Sequence, residues 1–575
     1  MNRNVESHFS MLPSAEISRS RFDRSQDVKF TFNVGDIIPF YIDEVLPGDT
    51  FDITTSKVVR MQTLLTPVMD NIYLDTYFFF VPNRLVWTHW RELMGENRTS
   101  AWLPAVEYSV PQINLHGNST SKTESKVETG DILDYMGVPV GVGVDYVDGT
   151  EKFPSVNALP LRAYWMIFNE WFRDENLTDP VNWSDSDGNT SIAGLKSQGL
   201  DKPAKAAKYH DYFTSCLPAP QKGPSVKVPG SFDVSIGPGW PVTTPIATGT
   251  SPVNYETSGT FFPLSWRQAV GNTSPGQQIT NSYTATIEYT GNSGFQRQAS
   301  PSNMNGIYPS NLFAAPASNQ LTGIGIDIND MRYAFQLQKL YERDARGGTR
   351  YIEIIKSHFN VDSPDARMQR PEYLGGNRIP ISIHQITNQS QGESDFLGDL
   401  GAMSLTTDKH SDFVKSFTEH GFVIGLCVAR YDHSYPQGLE KMWTRKGRFD
   451  YYWPVFANLG EQAVMKSEIY LDPDHLDDVF GYQERWAEYR YKPNRVAAEM
   501  RPGVSGTLDS WHFADHYQSI PSLSDSWIRE DKTNVDRTLA VTSAVSNQLF
   551  ADIYIKNYTT RPMPLYSIPG LIDHH

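Results

Sequence analysis

Ile72-Tyr-Leu-Asp-Thr-Tyr-Phe-Phe-Phe-Val81 decides the fold class of this 575-residue chain. Aromatic and β-branched residues fill both parities of the run, so a strand here is apolar on both faces and belongs in the middle of a sandwich. On its N-terminal side, Val28-Lys-Phe-Thr-Phe-Asn-Val34 alternates apolar and polar, the mark of a half-buried strand. Gly35-Asp36 and Pro47-Gly48-Asp49 are turn signals, and Phe51-Asp-Ile-Thr-Thr55 reads as another strand. Far downstream, Gly421-Phe-Val-Ile-Gly-Leu-Cys-Val-Ala-Arg430 and the alternating Leu549-Phe-Ala-Asp-Ile-Tyr-Ile-Lys556 add two more. Early and late strands separated by long insertions suit a jelly roll, whose sheets are completed by distant segments.

Three stretches break the β pattern. Leu161, Tyr164, Trp165, Phe168 and Phe172 share one face of a helix near 157–175, with Asn157 as a cap, Pro160 in the first turn and Pro180 beyond the end. That stripe packs either on the core or against a neighbouring subunit. Residues 221–320 hold only seven charged side chains but eleven aromatics, including Trp240, Phe261, Phe262 and Trp266. We expect an ordered, loop-rich β insertion there, because uncharged surfaces rich in Ser, Thr and Asn and dotted with aromatics resemble adaptable contact surfaces. Asp330 opens a second helix with Phe335, Leu337, Leu340 and Tyr341 as its apolar positions and Gly347-Gly348 as its stop. After Arg561 the prolines, Pro562 and Pro564 among them, hold an apolar tail extended.

Hydrophobic residues are 39% and charged residues 20%, which excludes a disordered chain or a coiled coil. With 50 basic and 66 acidic side chains the net charge is −16, against a surface that grips nucleic acid everywhere. Cys216 and Cys427 are too few for a disulfide framework or a Cys-based zinc site. The polar segment from Met1 to Lys29 lacks a signal core, and no apolar run reaches bilayer length.

Catalytic signatures are missing: there is no Gly-Lys for a phosphate loop, and Gly141-Val-Gly143 and Gly323-Ile-Gly325 lack the third glycine of a dinucleotide fingerprint. Four clusters carry weaker chemistry. Asp472, Asp474, Asp477 and Asp478 are candidate oxygen ligands for a divalent ion, or acids of a solvated turn. Glu484 and Glu488 sit one turn apart if helical, either a carboxylate pair for glycoside chemistry or partners of Arg485 and Arg490. Trp511-His-Phe-Ala-Asp-His516 reads as packed structure. Lys441, Trp443, Arg445, Lys446 and Arg448, followed by more aromatics, and Arg490, Lys492 and Arg495 have the character of a patch that meets phosphates while its rings stack on bases. The same composition marks a subunit interface.

Several long strings resemble the major capsid protein of the microviruses, small tailless single-stranded DNA phages, in their gokushovirus branch. They include Gly35-Asp-Ile-Ile-Pro-Phe-Tyr-Ile-Asp-Glu-Val-Leu-Pro-Gly-Asp-Thr-Phe51, Phe78-Phe-Phe-Val-Pro-Asn-Arg-Leu-Val-Trp87 and Ala334-Phe-Gln-Leu-Gln-Lys-Leu-Tyr-Glu-Arg-Asp-Ala-Arg-Gly-Gly-Thr-Arg350. Val428-Ala-Arg-Tyr-Asp-His-Ser-Tyr-Pro-Gln-Gly-Leu439, Phe449-Asp-Tyr-Tyr-Trp-Pro-Val-Phe456, Phe480-Gly-Tyr-Gln-Glu-Arg-Trp-Ala-Glu-Tyr-Arg490 and the Pro-Gly-Leu-Ile-Asp573 tail continue it. Residues 221–320 carry none of these strings.

The resemblance implies a single eight-stranded antiparallel jelly roll, a mainly β capsid sandwich with long loop insertions and a few helices. It implies self-assembly through pentamers into the simplest icosahedral shell around circular single-stranded DNA, within the virion and after assembly in the bacterial cytoplasm. The partners it implies are further copies of the chain, a small basic DNA-binding protein, scaffolding and pilot proteins and a host receptor, with no membrane insertion. No cofactor is expected; a structural divalent ion stays open. The expected divisions are an arm at 1–30, body at 31–180, an insertion at 181–320 with its core at 221–320, body again at 321–556, and a tail at 557–575. Trp165, Phe168, Phe172, Pro562, Pro564 and Tyr566 are candidates for subunit contacts, and Trp240, Phe261, Phe262 and Trp266 for host contacts. The competing class is a sugar-binding or sugar-cleaving β-sandwich.

Overall fold

The computed structural model describes residues 18–98, 107–115, 126–141, 155–226, 328–389 and 397–566, together with short strands between 242 and 314. It divides into one compact unit, Met1–Pro224 with Leu340–His575, and a second, Ser225–Lys339.

The first unit is built on strands β1 (Ser20–Asp23), β2 (Gln26–Phe32), β3 (Ile38–Val45), β4 (Thr50–Met61), β5 (Ile72–Pro82), β6 (Glu372–Gly375), β7 (Arg378–Pro380), β8 (Thr406–Ser416), β9 (Gly421–Tyr431), β10 (Glu461–Met465), β11 (Val479–Glu484) and β12 (Leu549–Arg561). Two five-stranded sheets result. In one, β1 and β2 both pair with β12, which pairs with β4, which pairs with β8. In the other, β6 and β7 both pair with β5, which pairs with β9, which pairs with β3. Every pairing in both sheets is antiparallel.

One apolar cluster joins the facing sheets. It takes Phe51, Ile53 and Val59 from β4 and Ile553 and Ile555 from β12, and meets Leu74 and Phe78 of β5 and Val423 and Cys427 of β9. Alternate residues of β5 and β9 point the other way: Phe79, Val81, Phe422, Ile424 and Val428 enter a second cluster on the back of that sheet. The double-sided apolarity of 72–81 therefore has a cause, a strand covered on both faces. Both cysteines are free and buried, and burial pushes both thiols up.

The segment from Leu374 to Asn377 stitches the two sheets. Asn377 Nδ2 donates to Asp408 of β8 at 2.9 Å, while its Oδ1 accepts from the Thr76 hydroxyl of β5 at 2.9 Å and from the buried Lys57 ammonium of β4. Gly376 has a φ of +147°, and a Cβ there would stand 1.9 Å from the Thr76 carbonyl oxygen.

The helix expected near 157–175 forms as α1 (Leu159–Ile167), continued by one wider turn over Phe168–Phe172. Asn157 Oδ1 accepts from the Leu159 N–H at 2.9 Å, and Pro160 lies in the first turn. Trp165 and Phe168 are buried in the chain's own second cluster, and Phe172 packs edge-on against Tyr77 at 5.2 Å. Of the two packing options, Trp165 and Phe168 take the chain's own core on the back of β5 and β9, while Phe172 is half-buried. The second helix, α2 (Ile328–Gly347), stops at the expected glycines but differs in its packing side. Ala334 and Ala345, three turns apart, are buried, while Phe335 and Leu340 are exposed.

Two boundaries also move. From Ser20 the expected arm is strand, because β12 offers its backbone a partner and Arg21 stacks over Tyr558 at 4.3 Å. At the other end β12 runs to Arg561, so 557–561 is sheet and the tail begins at Pro562. Pro562 is half-buried, Pro564 and Tyr566 are exposed, and residues 567–575 lie outside the described residues.

The second unit contains short antiparallel pairings, among them Trp266–Gln268 with Ile307–Pro309 and Ile287–Tyr289 with Phe295–Arg297. Trp266 lies on the first of these strands, whereas Trp240, Phe261 and Phe262 fall outside the described residues. No helix among the described residues is long and apolar enough to cross a membrane.

Candidate nucleic-acid or assembly interface

The basic and aromatic stretch from Lys441 to Phe456 forms three short 3-10 turns, Lys441–Trp443, Arg448–Asp450 and Pro454–Phe456. Close glycine and proline punctuation leaves no room for a longer helix. The hairpin β10–β11 and the turn Ala487–Tyr489 hold it in place. Trp486, buried at a positive φ of 67°, donates its indole N–H to the Phe456 carbonyl at 3.0 Å. Arg445 reaches Glu488 at 3.2 Å with both side chains largely buried, and its guanidinium lies 4.1 Å over the Tyr489 ring. Gln462 Nε2 donates to the second oxygen of Glu488 at 2.6 Å.

The structure brings both halves of the sequence-derived patch together, but most of its cations are already paired. Arg490 binds Glu484, Lys492 and Arg495 share Glu440, and Lys441 lies 3.5 Å from Glu468. Lys446 and Arg448 form no ion pair among the described residues; Arg448 stacks over Trp453 at 4.8 Å. Between the cations, Trp443, Phe449, Tyr451, Tyr452 and Trp453 are exposed.

These pairings also correct the glycoside reading. Glu484 ends β11 and Glu488 lies in a 3-10 turn, so they are not one helical turn apart, and each is neutralised by an arginine, Arg490 and Arg445. The aspartate cluster does not converge either. Asp472 caps a turn by accepting from the Asp474 N–H at 3.0 Å, and Asp478 pairs with Lys466 at 3.3 Å and His475 at 3.0 Å. Among the described residues no group of three or more His, Cys, Asp or Glu side chains is arranged to hold a metal.

One charged cluster escaped sequence reasoning. His433, fully buried, meets Asp515 through Nδ1 and Glu530 through Nε2, each at 2.8 Å. Both acceptors are carboxylates, so the geometry suits an imidazolium that donates from both nitrogens. Burial pushes the His433 pKa down, but the two carboxylates outweigh it and raise it to about 9. Asp515 is held well below the usual carboxylate range: burial opposes this, and His433 and Lys208 overcome it. Tyr517 and Asn534 each donate to Asp515 at 2.6 Å. The string 511–516 is thus packed structure, with Phe513 and Asp515 buried.

Comparison with known proteins gives one consistent result. A family described as "Capsid protein (F protein)" matches residues 10–571. The chain is 39% identical over 615 residues to "Capsid protein VP1" of Chlamydia phage 1, covering 99% of this chain and 98% of that relative. It is 37% identical over 578 residues to the protein of the same name from Bdellovibrio phage phiMH2K, covering 99% and 98%. With that of Spiroplasma virus 4 it shares 38% identity over 581 residues, covering 98% and 97%.

Proposed function

Because the chain belongs to the phage capsid protein (F protein) family, we propose that it closes, through pentamers, into an icosahedral shell around circular single-stranded DNA. It is a structural protein of the phage capsid and not an enzyme. The end-to-end match of its two-sheet antiparallel body to capsid proteins carries the proposal. Counting β1 with β2, and β6 with β7, as single interrupted edge strands gives four strands per sheet, which supports an elaborated eight-stranded jelly roll. Closure then needs heterologous contacts around the fivefold and between rings, with the exposed Pro564 and Tyr566 as contact candidates.

A net charge of −16, with most patch cations internally paired, supports a small basic protein as the main neutraliser of the packaged phosphates. Scaffolding and pilot proteins, and assembly in the bacterial cytoplasm, complete the proposed setting. Chain expressed with its packaging partners should yield uniform spherical particles in electron micrographs; protein that stays monomeric under every packaging condition would end the proposal.

The low-charge insertion, most of which falls in the separate unit Ser225–Lys339, is proposed to meet the host surface. Particles carrying Phe261→Ser and Phe262→Ser should assemble normally and lose cell attachment by about tenfold, the scale of one or two aromatic hot spots. Undiminished attachment would remove these residues from the host contact.

A further inference from the structure

We propose that the aromatic ridge at 443–455 is a docking surface for a second copy of this chain, in preference to single-stranded DNA. The inference rests on the shell reading above and names a surface for it. Trp443, Phe449, Tyr451, Tyr452, Trp453 and Val455 are between 40% and 83% exposed. At ~150–250 Å² per large side chain, exposure on that scale leaves roughly 700 Å² of apolar surface in water. One partner of a stable interface contributes about 800 Å². An exposed apolar patch of that size on a soluble chain marks an interaction site.

The charges around the ridge choose between the two partner classes. A strand of DNA is held by cations in excess, each displacing a counterion from a phosphate. Here Arg445, Arg490, Lys492 and Arg495 lie against Glu488, Glu484 and Glu440, which leaves Lys446 and Arg448 as the patch cations without an ion pair among the described residues. Asp450, within the ridge, adds a further negative charge, held by the backbone N–H groups of Lys446 and Gly447 at 2.8 and 2.7 Å. A small remaining excess of cations, large rings and arginines mostly paired within the chain are the composition of a protein–protein contact.

The ridge is also set before docking. Trp486 beneath it is buried and bonded to the Phe456 carbonyl, and Tyr452 packs edge-on against the Trp486 ring at 5.7 Å. Little side-chain ordering remains to oppose association.

The test is a triple variant, Trp443→Ser with Phe449→Ser and Val455→Ser, all at exposed positions that contribute little to the fold. Assembly is followed by sedimentation, and nucleic-acid binding by fluorescence anisotropy with an oligo(dT) of roughly 30 nucleotides. The variant is expected to keep the wild-type circular dichroism and melting temperature, to lose the assembled fraction by at least about tenfold, and to bind oligo(dT) within about twofold of wild type. Unchanged assembly overturns the proposal. So does a loss of oligo(dT) affinity of about tenfold or more, whatever happens to assembly, because the ridge would then belong to the genome. Wild-type chain that never assembles sinks the shell reading and this proposal together, a failure visible before any substitution is made.

Discussion

Replacing His433 with alanine should destabilise the body by about 3–5 kcal/mol, the usual result of breaking a buried ion pair and leaving its charged partners uncompensated. The side chain sits between Asp515 and Glu530, and all three are buried. Asp515 would keep Lys208 at 3.7 Å, Tyr517 and Asn534. Glu530 would keep only the Asp531 N–H at 3.2 Å, with its Oε2 already unpartnered among the described residues. Thermal and denaturant unfolding report the loss. Adding Glu530→Ala should restore part of it, since the double variant no longer strands that carboxylate.

The same site gives the protein a bounded pH range. The His433 pKa is raised from 6.5 to about 9, so its contribution is complete below about 6.5 and is lost as pH rises through about 9. Asp515 is lowered, so its contribution holds above the ordinary carboxylate value of about 3.8 and is lost as pH falls below it. Melting temperature plotted against pH should therefore fall on both flanks, and the alkaline flank should flatten in the His433→Ala chain. An alkaline flank that persists unchanged in that variant would assign it to other groups.

A comparable loss is expected from Gly376→Ala. The new methyl would meet the Thr76 carbonyl at 1.9 Å in a backbone conformation of φ +147°. Overpacking and left-handed strain each cost about 1–3 kcal/mol, so about 2–6 kcal/mol is at stake. The damage would extend beyond one turn, because Asn377 next to it ties Lys57 and Asp408 of one sheet to Thr76 of the other. Gly401→Ala is the control: its nearest atom is the Ile386 carbonyl oxygen at 3.9 Å, an ordinary contact. A Gly376→Ala protein that melts with the control would show that the segment can yield.

What the sequence made legible follows from the range over which each signal acts. Residues 72–81 declare a doubly covered strand because both side-chain parities are apolar, and β5 occupies that place. Leu549–Lys556 alternates and forms β12. By contrast, Ser20–Asp23 is short and charged, and it becomes strand because distant β12 supplies its hydrogen-bond partners. The stripe at 161–172 gives the angle of a buried face but not whose core receives it; Trp165 and Phe168 turn out to serve their own chain. In the candidate interface Glu484 was legible as a partner for Arg490, six residues on, but the more distant partners were not. Glu488 comes to Arg445 from 43 residues away, and Glu440 to Arg495 from 55. His433, Asp515 and Glu530 lay in three separate strings, 82 and 97 residues from the histidine, and no local pattern joins them.

The position of β12 has a consequence for synthesis. It lies between β2 and β4, so the first sheet cannot close until residues 549–561 have left the ribosome. At ~5–20 residues per second, the gap after β4 is translated lasts roughly 25–100 s. Through that interval the nascent β4 shows a raw hydrogen-bonding edge, the kind that recruits stray strands and chaperones. A message cut short upstream of residue 549 yields a product that lacks β12 and keeps this edge for good.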